Sequence, residues 1–200
     1  MSSGRKVLTC GLLIGVLPLC FSCIPDSEPD RLRWLLVGYG LASVLYLYIW
    51  HHWSRLDGSR KGLVQLLLVG GLSRLLLLCV PLLLSEDLWR YLWDGCVQWA
   101  GINPYLYAPE SAELDAVVSS PAIEYIRSQV GHPQIPTIYP PAAQLSFLLG
   151  TGAAAHPLPY RLILCVADLF TVYFLWKWSE SRGHAPQVAA LYALAPLPIM

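Results

Sequence analysis

Glu86 and Asp87 stand side by side, directly behind the apolar run "LLLLCVPLLL" of residues 75–84. Carboxylates at the edge of a hydrocarbon stretch are costly to place, because the charged form prefers water. One reading is structural. Two acids suit the positive N-terminus of a helix, Ser85 is a good cap residue, and Glu86, Arg90 and Asp94 are spaced four apart for ion pairs. The other reading is chemical. A carboxylate partly withdrawn from water holds a proton more tightly and becomes a better general base toward a hydroxyl. Arg90 is open to the same division, as a helix-surface ion pair or as a phosphate ligand whose planar fork matches the anion. His132 sits in a proline-rich loop, where a capping role is the common case. Arg74 and Asp168 are ionisable residues inside apolar runs, with Arg161 seven positions before Asp168. Such residues usually face a bundle interior or a wet cavity and need a partner. The sequence holds no Gly-rich phosphate loop, nucleophile elbow or convincing metal-ligand cluster. "CFSC" at Cys20–Cys23 has redox or metal spacing but no second pair, and reads as structural filler.

The elements that must position these residues follow from composition. The 200-residue chain is 56% hydrophobic and only 13% charged, against roughly a quarter charged in soluble domains. So little charge cannot coat a soluble surface, and the excess apolar mass must face lipid. The zero formal net charge gives no basic field for nucleic acid. A helix spanning the roughly 30 Å hydrocarbon core needs about 20 apolar residues, and five segments approach that: 7–24, 34–50, 63–84, 142–155 and 160–178. A sixth apolar run begins near Gln187 and is too short to cross, so the chain is expected to be one part of a longer protein. Lys and Arg bias places Arg5 and Lys6 inside, loop 25–33 outside, loop 51–62 inside and segment 85–141 outside. The rule strains at Lys177 and Arg182, which fall outside if the fourth and fifth segments both cross.

The expected fold class is therefore all-α membrane: a polytopic transmembrane helix bundle with interfacial amphipathic helices in a large external loop. Three parts are expected, with transmembrane helices in 1–84, the extracytoplasmic loop in 85–141, and further transmembrane helices in 142–200, the last incomplete. A loop as long as 85–141 is the default place for function. Its first part is expected to be a helix lying in the membrane interface, with Leu88, Leu92, Cys96 and Trp99 on one face. Asp87, Arg90, Tyr91, Asp94 and Gln98 share the other. Gly95 weakens that helix and "GINP" at 101–104 ends it. "HPQIPTIYPP" at 132–141 holds four prolines in ten residues and must be extended or turned.

"SEDLWRYLWDGCVQWAGINPYLYAP" followed by "GHPQIPTIYPPAAQL" resembles the polytopic glycosyltransferases of the GT-C superfold, and more narrowly the bacterial mannosyltransferase-like branch that uses polyprenyl-phosphate sugars. Members carry an acidic pair, then Y-R-Y-x-W-D-G, G-x-N-P-Y and H-P-x-x-P-T-x-Y-P-P, and the match covers about 85–145. The resemblance implies a multi-pass enzyme of the bacterial plasma (inner) membrane, acting in the cell envelope with its catalytic loop outside. It would transfer a sugar, with mannose the first expectation, from a polyprenyl-phosphate donor to the hydroxyl of a glycan or lipid acceptor, with inversion. Membrane lipids are the other expected partners, and nucleic acid is not one. It also implies site residues: Asp87 or Glu86 as the base, with Arg90, Tyr91, Asp94, Asn103, Tyr105, His132, Tyr139 and Pro140 shaping the donor pocket. Relatives more often carry two Asp where Glu86 and Asp87 stand, and a smaller aromatic at Trp89. No cofactor is called, and a divalent metal is left open. Two rival readings remain, an inactive membrane scaffold or partner subunit and, ranked last, a transporter with Arg74 and Asp168 along its path.

Overall fold

In lipid no water is present to satisfy an open backbone, so apolar runs of this length close their peptide hydrogen bonds within a helix. The computed structural model describes residues 3–22, 28–52, 60–78, 86–152, 155–183 and 187–196, and all of their regular structure is helical. The helices are α1 (Ser3–Ser22), α2 (Glu28–His51), α3 (Arg60–Leu77), α4 (Asp87–Trp99), α5 (Pro121–Ser128), α6 (Pro141–Thr151), α7 (Pro157–Ser181) and α8 (Gln187–Leu194), with a 3-10 helix at Ala112–Val117. They fall into two compact units, Met1–Leu83 with Cys165–Met200, and Leu84–Leu164.

In the first unit α1 packs on α2 and α3, and α3 on α8. Ile14, Ala42, Ile49, Leu66, Ala190 and Leu194 form its core. Trp34, Leu36, Leu41, Val44, Leu47, Trp50, Leu68, Phe170 and Phe174 are large, apolar and exposed. Two helical stretches are long and apolar enough to cross a membrane: Leu32–His51 in α2 and Pro157–Ser181, which is α7. At 1.5 Å per residue they reach about 30 and 37 Å. The apolar part of α3, Val64–Leu76, is shorter, and the remainder of the expected span, 79–84, lies outside the described residues. So do residues 23–24 of the first expected span and Cys23 of "CFSC".

Arg74, expected to need a partner, has several. Its Nε is paired with Asp168, and its Nη1 donates to the carbonyls of Gly70 (3.0 Å) and Ala193 (2.6 Å). Tyr192 donates its hydroxyl to the other oxygen of Asp168 at 2.6 Å. Arg74 thereby caps the end of α8, where a cation is favoured. Gly70 admits this approach, since a Cβ there would stand 2.5 Å from the Ala193 oxygen.

In the second unit α4 is the centre. It packs against α5, α6 and the 3-10 helix, and buries Leu88, Arg90, Leu92, Trp93, Asp94, Gly95, Cys96 and Val97. Most of α4 is thus covered by protein, while Trp99 of its expected apolar face stays 60% exposed. Burial pushes the Cys96 thiol up to about 11, as befits a small core hydrophobe. Glu86 takes the cap position of α4 without a side-chain cap bond, while Ser85, the expected cap, lies outside the described residues. The far end closes as expected at "GINP". Gly101 is left-handed (φ 76°), its N–H donates to Gln98 at 2.9 Å, and Ile102 donates to Val97 at 3.1 Å, a Schellman closure. Arg127 of α5 sits 5.4 Å over the Trp93 ring and donates to the carbonyls of Pro109 (2.7 Å) and Ser111 (3.0 Å), which fastens α5 and the preceding turns to α4.

The fourth expected span is also corrected. Its helix, α6, has eleven residues, about 16 Å, half the hydrocarbon thickness. Gly152 then leaves the helix at φ 49°. The unit containing α4 extends to Leu164 and so takes in α6, which the sequence reading grouped with the later helices.

Two outcomes are expected in thermal unfolding of the detergent-solubilised protein. Gly95→Ala should destabilise it by about 1–3 kcal/mol through overpacking, although helix propensity alone favours Ala by about 1 kcal/mol. The reason is that a Cβ on Gly95 would collide with Thr151 and lie 2.7 Å from the Phe147 carbonyl. Asp168→Asn should cost about 3–5 kcal/mol by stranding a buried guanidinium, whereas the double variant R74M/D168L should recover most of that loss.

Candidate functional site

The first turn of α4 carries Glu86, Asp87 and Arg90 to the edge of a cavity of about 290 Å³. Its opposite wall is the loop Gly131, His132, Ile135, Pro136, Ile138 and Tyr139. Five of the site residues expected from sequence thus meet in one place: Glu86, Asp87, Arg90, His132 and Tyr139. Both acids are exposed, so the protein itself does not withdraw them from water. The Glu86 carboxylate lies against the loop, 3.6 Å from where a Cβ on Gly131 would be.

The loop is held by a buried polar chain that starts at Arg90. Arg90 donates from Nε to Asp94 Oδ1 at 3.0 Å and from Nη2 to the Ile135 carbonyl at 2.9 Å. Of the two ion pairs its spacing allowed, it makes the one with Asp94, and the residue lines the cavity. Gln144 of α6 continues the chain, donating from Nε2 to Asp94 Oδ2 and to Thr137 Oγ1, both at 2.8 Å. Its Oε1 accepts from Gln98 Nε2, also at 2.8 Å. Asp94 is 2% exposed and does not reach the cavity. Its place is behind the wall, where it orients Arg90.

The other expected residues support the wall rather than line it. Tyr91 stacks on Phe147 (centroids 4.4 Å, 12°) and meets Tyr139 edge-on at 5.0 Å. Tyr105 donates its hydroxyl to the Tyr139 carbonyl at 2.5 Å, and the Asn103 side chain accepts from the Tyr105 N–H at 3.0 Å, which fixes the turn that aims Tyr105. Pro140 occupies the cap position of α6, ahead of Pro141 at its first residue.

Tyr139 is the aromatic that reaches the cavity. Burial comes first among the causes that push its phenol well above the ordinary tyrosine value, followed by hydrogen bonding with Tyr91 and the nearby charge and hydrogen bond of Asp87. It therefore stays protonated as a donor. His132 has φ 54°, a left-handed conformation that a non-glycine residue adopts at a cost. The turn closes with Ile135 donating to the His132 carbonyl at 3.1 Å.

Sequence reasoning missed Gln144, Thr137 and Ile135. Gln144 was detectable, because a lone amide in "PAAQLSFLL" must find partners. The carbonyl of Ile135 and the hydroxyl of Thr137 carried no such signal. Among the described residues no group of three or more His, Cys, Asp or Glu is arranged to hold a metal ion. Compared with known proteins, the chain matches no family model, no curated protein and no solved structure.

The strain at His132 has a direct test. His132→Gly should raise the unfolding midpoint in detergent and His132→Val should lower it, because a β-branched residue tolerates the left-handed region worst. Equal midpoints for the two variants would show that the conformation carries no cost.

Proposed function

We propose that this chain is an integral-membrane glycosyltransferase, or the N-terminal part of one. It would move a sugar from a polyprenyl-phosphate donor to the hydroxyl of a glycan or lipid acceptor with inversion. One observation carries the reading. The two adjacent acids share a cavity of about 290 Å³ with Arg90, His132 and Tyr139, beside Ile138, which is 82% exposed. An anion-compatible pocket with an apolar lip suits a substrate that joins a phosphosugar to a hydrocarbon tail.

Asp87 takes the proton of the acceptor hydroxyl. The acceptor oxygen attacks the anomeric carbon from the face opposite the phosphate. The carbon–oxygen bond to the phosphate breaks, and its electron pair leaves on the lipid phosphate, next to Arg90 and His132. That leaving group needs no proton, so one carboxylate suffices where a glycosidase uses two. Asp87 is favoured over Glu86 because it lies within the first turn of α4, close enough to Tyr139 for its charge to help keep that phenol protonated.

The shortness of α6 supports a multi-pass topology with the site outside. If 142–155 does not cross, α7 runs from outside to inside and brings Lys177 and Arg182 to the inner face, where the charge rule wants them. The burial of Arg74 against Asp168 counts against a transporter path through that pair.

The test is transfer of radiolabelled sugar from polyprenyl phosphates, mannose first, by the full-length protein in membranes. Asp87→Asn should lower transfer by about 10²–10⁴-fold, the worth of a general base, and Glu86→Gln by a few-fold. Undiminished transfer by Asp87→Asn would overturn the assignment of the base. A wild-type protein inert toward every donor would favour the scaffold reading.

A further inference from the structure

Between residues 108 and 134 the surface of the second unit is polar, with Glu110, Asp115, Glu124, Ser128 and Gln129 exposed. Tyr125 of α5 is the one large ring or aliphatic chain exposed among those residues, at 55%. The half-buried Trp89 of α4 braces it edge-on, at 5.5 Å and 90°. A single exposed ring is ordinary. This pair is continuous with the cavity, because Trp89 stands one turn along α4 from Glu86, which lines it. We propose that Trp89, Tyr125 and Glu86 form a docking shelf for the acceptor, and that the acceptor is a neutral glycan presented from water rather than a lipid hydroxyl. The proposal rests on the transferase reading and adds the class of acceptor.

A pyranose presents C–H bonds on one face, which pack on the negative face of an aromatic ring, while the hydroxyls at its rim need hydrogen-bond partners. The shelf supplies both. Ser128 and Gln129 follow Tyr125 by three and four residues and so share its side of α5. The Glu86 carboxylate accepts from a hydroxyl and repels a phosphate. Arg127, the cation of α5, is spent on Asp115 and on the carbonyls of Pro109 and Ser111. Rings, a hydroxyl, an amide and a carboxylate suit a neutral polyhydroxyl ring, and neither an anion nor an alkyl chain. The two acids also divide the first turn of α4. Asp87 shares its side of the helix with Tyr91, four residues on, whose ring packs on Phe147 of α6 at 4.4 Å and Tyr160 of α7 at 5.6 Å. α7 is long and apolar enough to cross a membrane, and Leu145 and Leu149 of α6 and Leu158 of α7 are exposed. A lipid-borne donor therefore reaches the cavity from the Asp87 side. The Glu86 side, with its polar surroundings, is left to the acceptor.

Two measurements on the full-length protein in nanodiscs, free of glycoside detergents, test it. The first uses no donor. Methyl mannoside, methyl glucoside and mannotriose are examined by saturation-transfer NMR, with irradiation of the protein's aromatic protons. Saturation should reach the ring C–H protons of a bound glycoside, vanish in Tyr125→Ala and return in Tyr125→Phe, which keeps the ring. Saturation absent from every glycoside, or equal in wild type and Tyr125→Ala, would overturn the shelf. Gln129→Ala should weaken the saturation too, and decides the matter if Tyr125→Ala fails to fold. In the second measurement, transfer from the labelled donor to mannotriose is followed. Tyr125→Ala should raise the acceptor KM about three- to tenfold with the donor KM unchanged. A rise in the donor KM instead, or transfer confined to a polyprenol or glycolipid in the nanodisc, would overturn the assignment of a glycan acceptor. If glycosides bind as expected and no donor is ever used, the shelf stands and the transferase reading falls. If a donor is used and Tyr125→Ala changes nothing, the shelf falls and the transferase reading stands.

Discussion

The site depends on one buried polar chain, Arg90–Asp94–Gln144–Thr137, with Gln98 closing it from α4. The loop 132–140 carries no regular structure and four prolines with residue 141, so it cannot hold itself by a ladder of backbone bonds. What fixes it is the guanidinium of Arg90 on the Ile135 carbonyl and the amide of Gln144 on Thr137. Each member of the chain is satisfied by the next, and a buried polar network specifies one arrangement only when it is complete. The cavity wall therefore derives its shape from Arg90, which lines it, and from Asp94, Gln144 and Thr137 behind it.

The same chain accounts for the burial of α4. Its sequence is amphipathic, and amphipathicity reports only that two faces differ. It does not say whether lipid, water or protein covers each. Here Arg90, Asp94 and Gln98 are covered by the loop and α6, and Leu88, Leu92 and Cys96 are buried within the unit. Gly95 allows α6 to come close enough, since its missing side chain leaves the room that Thr151 and the Phe147 carbonyl occupy. A helix that propensity would improve with Ala keeps Gly because packing outweighs it.

Much of this was legible in the sequence, for local reasons. Helices in the apolar runs follow from their length and apolar content, the Schellman end of α4 from "GINP", and the partner for Arg74 from the cost of an isolated buried charge. The meeting of Glu86, Asp87 and Arg90 with His132 and Tyr139 was expected only through motif resemblance, since more than forty positions separate the two segments. What stayed hidden is long-range or backbone-based. The length of α6 was misread because "AAQLSFLLGTGAAA" is apolar throughout, yet Gly152 turns out of the helix. Asp94, Asn103 and Tyr105 read as pocket residues because they lie in the motifs, and the structure places each one layer back, Asp94 on Arg90, Asn103 on the Tyr105 N–H and Tyr105 on the Tyr139 carbonyl.

Asp87, Asp94 and Asp168 are the same residue type in three environments, and the environments divide the roles. Asp168 sits in an apolar run, paired with Arg74 and receiving Tyr192, so its charge is neutralised and serves packing. Asp94, two turns along α4 from Asp87, is 2% exposed with both oxygens occupied, one by Arg90 and one by Gln144. Buried behind the wall with both oxygens bonded, this carboxylate is out of a substrate's reach. Asp87 is exposed at the cavity edge, and its charge is among the causes that hold the Tyr139 phenol protonated. Of the three, Asp87 is the one that lines the cavity and is exposed to it, and reach is the first property that proton abstraction requires. The separation of roles comes from the contacts each side chain makes, and one helix supplies two of the three outcomes.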